Sequence, residues 1–342
     1  MKKLLFVAVA IFIFFGCKEN EVKELHVYTW AEYIAPEVVA DFEKSHGVKV
    51  VIDTYDSNET LYAKLKAGAV GYDVLFPSSY MAKLLGEQGM LEPLNKTSIP
   101  NLKHLDESYF QFLLDRDFKF SVPYMLSTSG IGYLKSKVGA LKNSWAVLGD
   151  ETFSGRMTML NDMRESFGAA LKFLGYSLNT RDWTEIVKAK EVLIGWKKNL
   201  AKFESEQYKN GLASGEFFVV HGYSGDVLQA KSDSEDVEYM IPAEGTSVAI
   251  DELVIAKGAR EKELAHAFIN FLHEPKNASR NMEYVQYLCP NKAAYELLSR
   301  EVREDTLIFP TKEALLKAEV IEDLGEDNKK YTAAWEEVKQ AG

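Results

Sequence analysis

The chain has 342 residues, enough for one large core or two ordinary ones, and two is the expectation. Apolar residues make up 46% and charged residues 27%, which are ordinary globular values and argue against extended disorder. A formal net charge of −11 argues against nucleic acid and anionic lipid headgroups as ligands and mildly favours small cations.

Residues 1–16 stand apart. Lys2 and Lys3 precede an unbroken apolar run from Leu4 to Phe15, too short for a stable membrane span, so the segment reads as a secretory signal. It ends in Phe14-Phe15-Gly16-Cys17. A small residue directly before a Cys resembles the bacterial lipobox, in which that Cys becomes the lipidated first residue. Phe14 and Phe15 are bulkier than such a motif usually carries. Residues 17–24 then read as lipidated Cys17 and a polar tether. Loss of residues 1–16 removes two lysines and no acids, taking the formal charge to about −13. Only Cys289 would remain besides Cys17, so no internal disulfide is expected, and Cys289 reads as a buried structural thiol.

Next, Leu25–Trp30 reads as a strand. Pro36 opens a helix with an apolar stripe at Val38, Val39 and Phe42, and Gly47 follows its end. Val48–Ile52 is a second strand. Asp56 or Ser57 can cap a helix through Leu61 and Leu65, which stops at Gly68. Asp73–Pro77 is a third strand and runs into Ser78-Ser79-Tyr80. This β-α-β-α-β order implies a parallel sheet flanked by helices. A helix over Met81–Gln88 follows, then loops to residue 120. Val122–Tyr133 is extended and rich in small residues, like a crossing segment. A second α/β block holds a strand at Met157–Leu160, helices at Ala169–Leu174 and Ile186–Trp196, and a strand at Phe217–Val220. Val248–Ala256 is another extended apolar run, Leu264–Leu272 an amphipathic helix, and the remainder mostly helical. Two α/β blocks joined by extended segments near 126 and 250 predict two lobes with a cleft between them, a common ligand site.

Ligands of open α/β sheets bind at the carboxyl ends of the strands. Trp30 and Tyr33 leave the first strand there, and Ser78 and Tyr80 leave the third. Asp162 and Glu165 follow the Met157–Leu160 strand with the spacing of a capping box, so helix capping and ligand contact both remain open. Tyr223 and Asp226 share a glycine-punctuated loop with Gly222 and Gly225; here the competing reading is an Asp-capped helix start. Asp251 interrupts an apolar extended run, where an unpaired acid is costly, so it calls for a cation or donors. Glu252 would face the other way and be solvated. Scattered tyrosines such as Tyr176 and Tyr208 read as core. The six histidines show no metal spacing, and no GxGxxG, P-loop or GxSxG sequence is present, so no metal, cofactor or catalytic residue is expected. Four acids with aromatics suit an amine cation, held by carboxylates and ring faces.

The ordered set YTWAEYIAP, YDSNETLYAKLKAG, YDVLFPSSY, VPYMLSTSGIGY, QYKNGLASGE, HGYSGDV and YLCPNKAA resembles the periplasmic spermidine/putrescine-binding proteins of bacterial ABC uptake systems, over nearly all of residues 25–340. The resemblance implies a type II periplasmic-binding-protein-like α/β fold: two lobes, each a mainly parallel sheet flanked by helices, with two hinge crossings. The expected division is 25–126 plus 250–295 for the N-terminal lobe and 127–249 plus 296–342 for the C-terminal lobe. It implies polyamine contacts at Trp30, Tyr33, Ser78, Tyr80, Asp162, Glu165, Tyr223, Asp226 and Asp251, and adds Tyr287. Departures fall at Ala31, usually Thr or Ser; at Ala249, usually a large aromatic; and at His221, where spermidine-type members carry Trp. Ile321 falls near a position of Gln. These departures and the GYSGD sequence lean towards putrescine. The implied protein is no enzyme. It is a monomeric periplasmic receptor, anchored to the membrane through lipid at Cys17, that hands putrescine or spermidine to an ABC permease. The alternatives are a two-lobed receptor for an amino acid or metal complex and, more remotely, a carboxylate-pair hydrolase.

Overall fold

The computed structural model describes residues 22–55 and 57–341; the expected signal and lipidation site at Cys17 lie outside them. Eleven strands are described: β1 Glu24–Trp30, β2 Lys49–Tyr55, β3 Val74–Leu75, β4 Leu91–Glu92, β5 Ser121–Leu134, β6 Met157–Met159, β7 Leu200–Phe203, β8 Val219–Tyr223, β9 Val237–Met240, β10 Ser247–Ala256 and β11 Glu319–Val320. They run in the order β2-β1-β3-β10-β5-β8-β6-β7, with β4 and β11 on β10 and β9 on β5.

The two extended segments seen in the sequence are β5 and β10, and they carry the sheet from one lobe into the other. Val122–Thr128 of β5 pairs antiparallel with Val248–Leu253 of β10, while Ser129–Tyr133 pairs with β8. At its other end β10 pairs with β3. Each lobe keeps a parallel edge, β2-β1-β3 and β8-β6-β7, as the β-α-β reading requires. The sheet is nonetheless mixed rather than mainly parallel, because both crossing strands and β9 add antiparallel pairs.

Local sequence explains the helices around the site. Pro36 occupies the first turn of the helix Pro36–His46, and Gly47 closes it in the left-handed region at φ 64°. Ser57 caps the helix Asn58–Lys66 by accepting from Thr60 N. Helix Pro36–His46 buries Val38 and Phe42 against Phe268 of Lys262–Leu272; the Phe42 and Phe268 rings meet edge-on at 4.8 Å.

One core unites Leu25, Val27, Phe42, Phe76, Tyr124, Ile255, Phe268 and Met282. Another unites Ile131, Trp145, Phe167, Leu193, Val219 and Tyr331. Leu298 and Ile308 belong to the first core, and the second resumes only at Leu324. The C-terminal return was expected at 296; packing places it some two dozen residues later. It passes through β11, whose Glu319 and Val320 pair with Ser247 and Val248. The lobes are therefore joined by three segments, not two, the third too short and polar to stand out in the sequence.

Candidate ligand-binding site

Asp251 lies on β10 opposite Met125, between the two lobes. Each of its oxygens takes a hydroxyl: Tyr33 donates to Oδ2 at 2.5 Å and Ser78 to Oδ1 at 2.7 Å. Thus the turn after β1, the loop after β3 and the crossing strand meet at one carboxylate. Burial pushes Asp251 up to about 6, and the two hydroxyls only partly offset this. Its side chain keeps some solvent exposure, so the carboxylate is crowded by protein yet reachable.

Both donors are themselves held. Tyr124 donates to the Tyr33 carbonyl at 2.9 Å, and the two rings meet edge-on at 5.6 Å. Asn58 clamps Ser78 on two sides: its Nδ2 donates to Ser78 Oγ, and Ser78 N donates to its Oδ1, both at 3.1 Å. Ser78 Oγ accepts from Asn58, which leaves its proton for Asp251. Trp30 is half-buried, donates Nε1 to the Phe76 carbonyl at 2.9 Å and packs at 4.5 Å on Tyr55. Those contacts fix the plane of its indole.

From the second lobe come Tyr223, at the end of β8, and Asp226, in the first turn of the helix Ser224–Asp233. Asp226 is not the N-cap, a place held by Tyr223; it accepts from Tyr208 Oη at 2.5 Å, and burial raises its pKa. Tyr287, from the loop after the helix Pro275–Val285, lies 6.0 Å from Tyr33 and rests directly on Gly225. A Cβ at Gly225 would fall 1.8 Å from Tyr287 Cε1. Burial is the main reason the Tyr223 phenol lies well above its usual range, and the charges of Glu165, Asp162 and Asp251 add to it. That ring therefore sits between the two acidic groups.

The second acidic group is Asp162 with Glu165. Asp162 does cap its helix, accepting from Glu165 N at 3.0 Å. Glu165 does not complete a capping box. It is 3% exposed and accepts from Ser247 Oγ of β10 at 2.6 Å, and burial pushes it up to about 7, with the Asp162 charge adding to the rise. Tyr80 Oη reaches Glu59 at 3.3 Å; burial raises its pKa, and the charge of Asp162 from the opposite lobe contributes. Tyr33, Ser78 and Asp251 are thus in direct contact, Tyr287 rests beside Tyr33 and feels Asp226 and Asp251, Tyr223 feels Asp162, Glu165 and Asp251, and Tyr80 feels Asp162, whereas the contacts of Trp30 are with Phe76 and Tyr55.

Two expectations need correction. Glu252 is not solvated: it is 2% exposed and hydrogen-bonded by Ser79. The register of β10 against β5 slips between Asp251 and Glu252, and helix Ser79–Glu87 covers the face that strand alternation would give to water. His221 does not stand in for a pocket aromatic. It is fully buried with its ring edge-on to the core residue Trp145 at 5.0 Å, and desolvation lowers it to about 3. Tyr208 lies in the core as expected, and its hydroxyl in addition serves Asp226. Asn58, Ser247 and Tyr208 were missed because each acts through a polar tip on an otherwise ordinary element; no pattern in the chain marks them.

Glu252 carries a stability consequence. Burial pushes it up to about 7 from the usual 4.5. The native state therefore binds more protons than the unfolded chain between those values, so this residue lowers stability as pH rises through that window. Glu252→Gln is expected to raise the unfolding free energy at pH 8 by roughly 1–3 kcal/mol and to leave pH 4.5 nearly unchanged. Urea melts at both pH values check this; an equal effect at both would show that burial of the charge is not the cost.

The fold and the seam define a two-lobed α/β binding protein. The chain belongs to the bacterial extracellular solute-binding proteins, whose family model matches residues 37–311. Putrescine-binding periplasmic protein PotF of Escherichia coli (strain K12) is 36% identical over 348 residues, covering 95% of this chain and 93% of that one. Spermidine/putrescine-binding periplasmic protein 1 of Haemophilus influenzae is 33% identical over 320 residues, covering 93% and 89%. Among solved structures, the spermidine/putrescine ABC transporter substrate-binding protein PotD of Streptococcus pneumoniae has a TM-score of 0.85 at 31% identity, covering 93% and 99%. The Tp0655 (TpPotD) lipoprotein of Treponema pallidum likewise gives 0.85 at 32% identity, covering 92% and 99%.

Proposed function

We propose that this protein is a periplasmic polyamine receptor, with putrescine favoured over spermidine, which delivers its ligand to a membrane ABC permease. The observation that carries the reading is Asp251, a crowded carboxylate steadied by Tyr33 and Ser78 between the lobes, with further acids on the facing lobe. The names of the relatives point the same way, two of them being putrescine-binding periplasmic proteins at 36–37% identity.

In this reading Asp251 and Asp226 hold one ammonium beneath Tyr287. Asp162 and Glu165 face the other, and Trp30, Tyr33, Tyr80 and Tyr223 enclose the methylene chain. An ammonium gains charge-assisted hydrogen bonds from the carboxylates, and roughly 0.5–2 kcal/mol from each well-placed ring face. Burial holds Asp251 and Glu165 high in pKa, and a bound cation restores their charged forms. A lipid anchor at Cys17 and a monomeric state complete the proposal; mass spectrometry of the membrane-extracted protein tests the first and light scattering the second.

Calorimetric titration with putrescine and with spermidine tests the main claim. Absence of heat and of any thermal shift with either would sink it. A pH series tests the site. Because cation binding needs ionised acids, protons are released on binding near neutrality and affinity falls as pH drops. At pH 5, with Asp251 at about 6, that residue alone is expected to cost about tenfold. A flat affinity from pH 5.5 to 8 would remove Asp251 and Glu165 from the contact.

A further inference from the structure

Tyr208 is fully buried at the start of the helix Tyr208–Ser214, and its hydroxyl reaches two of the site residues. That one oxygen makes two bonds to two different site residues. It donates to Asp226 Oδ2 at 2.5 Å and accepts from Tyr223 N at 3.1 Å. The Tyr223 amide can only donate, so the phenol proton is committed to Asp226. The ring is locked in place by Gly222, where a Cβ would lie 2.3 Å from Tyr208 Cε2. One oxygen thus ties helix Tyr208–Ser214 to both Asp226 and the Tyr223 backbone.

We propose that Tyr208 is a positioning residue for amine binding: through one hydroxyl it holds Asp226 Oδ2 and the Tyr223 backbone, and so presents Asp226 Oδ1 to a primary ammonium. This rests on the polyamine reading of the site. Three other polar groups face or flank Asp226. Lys209 favours its charged form but spends its ammonium on Gln229 Oε1 at 2.8 Å; Tyr287 feels its charge; Tyr223 neighbours it in sequence. Of these neighbours and Tyr208, it is Tyr208 that donates a hydrogen bond to the carboxylate. With that donor in place the carboxylate stays ionised more easily despite its burial, and the bond to Oδ2 fixes its orientation, so that Oδ1 is free of this contact.

The test is a double-mutant cycle on the full chain with putrescine as probe: wild type, Tyr208→Phe, Asp226→Asn and the double variant, each titrated from pH 5.5 to 8.5. Tyr208→Phe keeps the ring and removes one oxygen. It is expected to weaken binding by about tenfold or more at pH 7.5, since a hydrogen bond to a charged group is lost. It should also shift the pH at which binding fails upwards, because Asp226 loses a donor that favours its charge. In the Asp226→Asn background the same change is expected to cost little. A merely structural tyrosine would give the same loss in both backgrounds and leave the pH profile unmoved; either result overturns the proposal. Melting of each ligand-free variant keeps the outcome readable, because a folding loss lowers the melting temperature in both backgrounds alike. If the wild type itself fails to bind putrescine, the polyamine reading falls rather than this one.

Discussion

Asp251→Asn is expected to weaken putrescine binding by about 2–5 kcal/mol, roughly 30- to 5000-fold, while making the ligand-free protein more stable. The two halves of that result share one cause. The carboxylate is crowded enough that burial lifts it to about 6, well above an ordinary aspartate, so the folded chain bears a cost for its charge at neutral pH. Asparagine removes the charge at nearly constant volume. Tyr33 and Ser78 can each turn a hydroxyl to suit an amide, since a hydroxyl both donates and accepts. The ligand-free variant should therefore gain roughly 1–3 kcal/mol at pH 7.5. A bound ammonium, however, loses its ion pair and meets a neutral amide in a poorly solvated place. The sign with pH is fixed too: wild-type Asp251 takes up its proton as pH falls through about 6, so the two proteins should converge towards pH 5. Titration and melting of both proteins at pH 7.5 and 5 check the claim. Equal affinities at pH 7.5 would take Asp251 out of the site; a lower melting temperature for the variant would show its role to be structural.

The parts of this site that could be read from the chain are those where a residue breaks its local pattern. Asp251 is an acid in an apolar strand, and Trp30, Ser78 and Tyr223 end or follow short apolar runs that read as strands. The fold was legible for the same reason: β-α-β-α-β needs no tertiary information, and two long extended runs between α/β blocks, the first of them poor in helix formers, have few other uses. What stayed hidden depends on contacts between distant segments. Glu252 looked solvated because strand alternation says nothing about what covers the far face, and a register slip further upset the alternation. Glu165 looked like half a capping box, yet its partner is Ser247, 82 residues away. His221 looked like a pocket residue because spermidine-type relatives carry Trp at that place. It is instead fully buried on β8, with its ring edge-on to Trp145 in the second core. The return of the chain near β11 was invisible because two residues of strand carry no periodicity.

Gly225→Ala is expected to remove most of the ligand-induced thermal shift while leaving the ligand-free melting temperature within a degree or two of wild type. Tyr287 packs against the first core, and Gly225 opens a helix of the second lobe, so their contact crosses the seam. A methyl there would fall 1.8 and 2.0 Å from Tyr287 Cε1 and Cδ1, a clash that the ring can relieve only by swinging away. Forcing such overpacking costs about 1–3 kcal/mol, or roughly 5- to 150-fold in affinity. If ligand binding closes the lobes, only the closed form bears that cost, and the open form hardly notices the methyl. Gly222→Ala supplies the contrast. Its methyl would meet Tyr208 at 2.3 Å, and both residues lie in the second lobe, so the clash exists whether the lobes are open or closed. That variant should melt earlier even without ligand. Tyr287→Ala completes the argument. In its background the ring is gone, and Gly225→Ala should then cost almost nothing further in affinity. If Gly225→Ala instead lowers the ligand-free melting temperature as much as Gly222→Ala does, the contact persists without ligand and the lobes do not part at this place.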